Sequence, residues 1–86
     1  MTPAERTARR LRLYQREARL MGQAAACERT NPPRAYRLYE LAQAAACVAE
    51  GDRLGFRIAC RNARFWRAAP PRMVPANDAR ETVHVG

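Results

Sequence analysis

The feature that most constrains this chain is what its apolar residues are made of. Of 41 apolar residues in 86, 18 are alanine, and only about a dozen large side chains could fill a helical core. A sheet or sandwich needs several runs of β-branched and aromatic residues at alternating positions, and only Thr82-Val83-His84-Val85 offers a short strand, one that could add to a partner. Alanine instead favours helices and lets their backbones approach closely. The reading is therefore all-α, with seams lined by small residues and a core too thin to be generous. Self-association or docking on a partner would relieve that thinness.

Helix punctuation divides the chain cleanly. Thr2-Pro3-Ala4-Glu5 has a capping residue, a proline at the first helical position and a carboxylate where a capping box needs one. The helical pattern then runs to about Arg29, with Gly22 as a point where it could kink or split. Asn31 caps a second helix from about Pro33 to Ala49, and Gly51 stops it. Asp52 caps a third, which ends near Ala68 before Pro70-Pro71. This predicts a long N-terminal helix packed on a helical hairpin. The three-helix domain covers residues 1–69, and 70–86 reads as a flexible, proline-containing tail.

Periodicity assigns the faces. In the first helix Ala4, Leu11, Tyr14, Ala18, Met21 and Ala25 form one stripe, which is expected to face inward. Leu13, Leu20, Ala24 and Cys27 form a second, which makes Leu13 and Leu20 candidates for self-association into a homodimer. The second helix should bury Leu38, Leu41, Ala42, Ala45 and Ala49, and the third Leu54, Ile58 and Phe65. Tyr36, Tyr39, Phe65 and Trp66, at helical spacing, read as core and not as a base-stacking platform.

The net charge is +8, carried by 16 arginines and no lysine. Residues 1–31 carry +4, residues 32–52 carry −1 and residues 53–77 carry +6 without one acid. A near-neutral second helix between two basic ones is expected to be the most buried. Arg9, Arg12, Arg16 and Arg19 fall within about 80° of arc, and Arg53, Arg57, Arg61 and Arg64 share the polar side of the third helix. The function this predicts is that of a small accessory or regulatory protein that meets nucleic acid through these arginine faces. The alternative is an adaptor or inhibitor that docks an acidic protein. The Gly51 turn does not fit a helix-turn-helix reader, because Glu50 and Arg57 would occupy apolar positions.

Other chemistries find little footing. There is no serine, and the one histidine, His84, lies in the tail. Cys27, Cys47 and Cys60 lack metal-ligand or disulfide spacing and sit among small residues. No catalytic residue, metal, cofactor or small-molecule substrate is expected, and no enzyme. A reducing, cytoplasmic setting suits the free thiols. No apolar run is long enough to span a membrane.

Overall fold

The computed structural model of the chain describes residues 1–68. Three helices account for it: α1 (Pro3–Cys27), α2 (Pro32–Glu50) and α3 (Arg53–Ala68). The long first helix lies against the α2–α3 hairpin, as the punctuation predicts. The expected tail over 70–86, with His84, lies outside the described residues.

Local chemistry explains each boundary. Thr2 Oγ1 accepts from the Glu5 N–H at 3.1 Å, and Glu5 Oε1 accepts from the Thr2 N–H at 3.2 Å. This reciprocal box satisfies two backbone donors that a helix start would otherwise leave orphaned. At the far end of α1 the Asn31 N–H donates to the Cys27 carbonyl at 2.8 Å, and the Thr30 hydroxyl donates to that same oxygen at 3.4 Å. Asn31 then turns its side chain to the next helix and accepts from the Arg34 N–H at 3.3 Å. The prolines at the start of α2 need no donor there. α1 continues without a break through Gly22, where an added Cβ would meet nothing within 4 Å.

The α2–α3 turn has only two residues. Gly51 takes φ 73°, a left-handed conformation in which a side chain would be strained. Its N–H donates to the Val48 carbonyl at 3.2 Å, and the Asp52 N–H donates to the Cys47 carbonyl at 2.8 Å. That pair of bonds is a Schellman closure. Asp52 at once caps α3, its Oδ1 accepting from the Gly55 N–H at 2.8 Å. Connections this short leave neighbouring helices antiparallel. The start of α1 therefore lies beside the end of α2.

α2 is the most buried helix, as its charge predicts. It packs against α1 on one side and α3 on the other, which takes up Ala35, Leu38, Ala42, Ala44, Ala45, Ala46 and Cys47. α1 contributes only Ala24 to the fully buried set, and α3 contributes Ala59 and Ala63. Leu20, Cys27 and Tyr39 pack around a cluster of Ala24, Ala35 and Leu38. Tyr36 and Trp66, both half-buried, bring their rings within 5.0 Å across the α2–α3 seam.

Two face assignments need correction. Leu13 and Leu20, expected to be free for self-association, are half-buried, and Leu20 packs into the α1–α2 seam beside Ala24 and Cys27. The stripe expected inward is the exposed one, with Leu11 at 58%, Tyr14 at 37% and Met21 at 47% accessibility. In α3 the same exchange occurs. Ala59 and Ala63 face α2, while Leu54, Ile58 and Phe65 are exposed. The physical reason is shared: where antiparallel helices approach most closely only small side chains fit, so Ala24, Ala59 and Ala63 take the contact points while Leu20 and Trp66 pack beside them.

Candidate polyanion-binding groove

Three of the candidate arginines, Arg9, Arg53 and Arg57, meet at the two-residue turn. A groove of about 440 Å³ opens over Gly51 and Asp52, between Arg9 of α1 and Arg53, Arg57 and Phe56 of α3. The antiparallel arrangement causes the meeting, because the first turns of α1 overlie the last turn of α2. A second hollow of about 270 Å³ continues on the other side of Arg9 and is rimmed by Arg6 and Arg10. Five guanidiniums from two helices thus surround the C-terminus of α2, against the carboxylates of Glu50 and Asp52. Arg6 donates to the Met1 carbonyl at 3.2 Å, and no ion pair holds Arg9, Arg53 or Arg57 among the described residues.

Of the eight arginines singled out in the sequence, this groove gathers Arg9, Arg53 and Arg57. Arg64 lines a separate hollow of about 210 Å³ at the far end of the hairpin, together with Arg37 and Arg67. Arg12, Arg16, Arg19 and Arg61 are exposed and line none of these hollows. Sequence reasoning missed Arg6, Arg10 and Arg37. Arg37 was masked by the net acidity of its segment. Arg6 and Arg10 lie off the α1 arginine stripe and are recruited only because their end of the helix abuts the turn.

The floor of the main groove is Cys47, the largest fully buried side chain. Gln43 Nε2 approaches its Sγ at 3.8 Å, and Sγ lies 4.0 Å from Asp52 Oδ2. Burial pushes the thiol's pKa up from 9.0, and the carboxylates of Asp52 and Glu50 add to the rise; the Gln43 hydrogen bond opposes it. Cys47 is therefore held as a neutral thiol, the opposite of an activated nucleophile. The folded state keeps this proton more tightly than the unfolded state does. Its contribution to stability is thus present below pH 9.0 and is lost as the pH rises through the higher folded value. At pH 8 Cys47 should be alkylated at least about tenfold more slowly than the half-buried Cys27 and Cys60. Mass spectrometry of iodoacetamide time courses would measure this, and equal rates for all three would contradict it.

No group of three or more potential metal ligands occurs among the described residues. No helix among them is long and apolar enough to cross a membrane. The arrangement offers positive charge and hydrogen-bond donors on a partly apolar floor. No protein-family model, curated protein or solved structure matches the chain.

Proposed function

We propose that this protein is a binding module for nucleic acid, gripping the phosphate backbone at the α2–α3 turn. The observation that carries the reading is the convergence of Arg9 with Arg53 and Arg57 on one groove, from helices far apart in sequence. Guanidiniums bind phosphate bidentately, and a site built from two helices fixes their spacing better than one stripe would. Arg61, exposed one turn beyond Arg57, extends the track along α3. Such contacts are to phosphate and confer affinity without sequence readout.

Binding of duplex DNA measured at several salt concentrations tests this. The wild-type protein should bind at low salt and weaken linearly on a log–log plot. Arg9→Ala, Arg53→Ala and Arg57→Ala together should lower the slope by about one unit per lost contact, with a similar effect on unrelated sequences. No binding at low salt, or an unchanged slope in the triple variant, sinks the reading.

A second reading rests on a different observation. Leu54, Ile58 and Phe65 stand exposed on α3 close to Arg57, Arg61 and Arg64. An acidic protein with an apolar strip would complement that face. Its signature would be capture that survives high salt and is lost on Leu54→Glu with Phe65→Glu.

A further inference from the structure

The outer face of α1 is a repeat in its own right. Counting from Ala4 through Thr7, Leu11, Tyr14 and Ala18 to Met21, the residues recur at alternating steps of three and four. That is the spacing of a coiled-coil seam. This face points away from α2, since the seam with α2 runs through Leu20, Ala24 and Cys27. Leu11, Tyr14 and Met21 are exposed although α1 is one unbroken helix. Thr7 donates its hydroxyl to the Pro3 carbonyl at 3.0 Å, so it presents no unsatisfied hydroxyl to an apolar partner.

We propose that this face binds a second copy of the chain, with the two α1 helices antiparallel about a dyad between Arg12 and Leu13. Side-chain size favours that register. Ala4 falls opposite Met21 of the other copy, Thr7 opposite Ala18 and Leu11 opposite Tyr14. The outermost layers thus pair small with large. A parallel pair would instead stack alanine on alanine and tyrosine on tyrosine, leaving voids beside crowded layers.

Charge points the same way. Arg10, exposed and also on the rim of the hollow beside Glu50, and the half-buried Glu17 flank the stripe on its α2 side, seven residues apart. In the antiparallel register Arg10 of each copy lies beside Glu17 of the other, which gives two opposite-charge pairs per dimer. The parallel register faces them with Gln15 and Gly22, and neither pair forms. Pairing through α3 would bring Arg57, Arg61 and Arg64 of two copies together with no acid in that helix. The other flank of the α1 stripe carries Ala8 and Gly22, whose small size lets a second helix lie close.

Sedimentation equilibrium of the full chain, treated with nuclease so that no polyanion bridges it, tests the proposal. The wild type should show a concentration-dependent monomer–dimer mass. Leu11→Glu with Met21→Glu should raise the dissociation constant at least about 100-fold while the helical circular dichroism is unchanged, both positions being exposed. Arg10→Glu should weaken the dimer by about tenfold or more, and adding Glu17→Arg should restore it to within about threefold of wild type. That rescue depends on the antiparallel register. A monomer at all concentrations, a dimer that survives both glutamates, or a charge reversal that the second substitution fails to rescue overturns the proposal.

Discussion

Leu38→Ala is expected to cost about 2–5 kcal/mol, a large fraction of the stability of a domain this small. Leu38 is 8% exposed, and the rest of the buried apolar set consists of alanines and Cys47. Truncation here leaves a cavity between Ala24 and Ala35, whose methyl groups have no longer rotamers with which to fill it. Leu54→Ala is the matched control, because Leu54 is 69% exposed, and it should change stability by about 0.5 kcal/mol or less. Urea denaturation of both variants measures the difference at constant chemistry. If Leu38→Ala costs no more than Leu54→Ala, the alanine-lined seam is not what holds the helices together.

That contrast between two leucines shows what was legible in the sequence. Helix existence and boundaries were, because capping is local chemistry. Thr2 with Glu5, Asn31 before its prolines, and Gly51-Asp52 each mark an end that the structure places within about two residues. The central position of α2 was legible from its lack of net charge. The orientation of α1 and α3 was not. Periodicity reports that a helix has apolar stripes, and ranking them by side-chain size puts Leu11 and Met21, or Leu54 and Ile58, inside. Close helix approach instead puts Ala24, Ala59 and Ala63 at the contact points, with Leu20 and Trp66 packed beside them. The two-sided burial of α2 was half-visible: Leu38, Ala42 and Ala45 were identified, but Ala35, Ala44, Ala46 and Cys47 belong to the buried set as well.

The candidate site divides along the same line. Each arginine stripe follows from helical period alone. Their meeting at one turn does not, because it depends on which face of α1 lies on α2. With Leu20 and Ala24 in the seam, Arg9 swings over Gly51 and joins Arg53 and Arg57. Had Leu11 and Met21 been inside, Arg9 would have pointed elsewhere on the helix, since it lies about 160° from Leu11 in projection. Local chemistry thus set the parts of the groove, and packing of small residues brought them together.

Gly55→Ala and Gly22→Ala should change stability in opposite directions, although both replace a glycine inside an α-helix. Propensity alone favours alanine by about 1 kcal/mol at either place. At Gly22 a Cβ meets nothing, so Gly22→Ala should stabilise by up to about that amount. At Gly55 a Cβ would run into the Asp52 carboxylate and come within 2.8 Å of Cys47 Sγ. Asp52 cannot retreat freely, because its Oδ1 accepts the Gly55 N–H at 2.8 Å as the cap of α3. Losing that cap costs about 0.5–2 kcal/mol, and crowding the buried thiol adds to it. The net effect should be a destabilisation of about 1–3 kcal/mol, read from the denaturation midpoint. Cys47→Ala in the Gly55→Ala background should recover part of the loss, a coupling that a double-mutant cycle measures. The same substitution would shift the start of α3, which carries Arg53 and Arg57, so on the proposed reading DNA binding should weaken even where both arginines remain. Equal stabilisation by both alanines, or a cycle without coupling between Gly55 and Cys47, would show that the turn does not depend on this close approach.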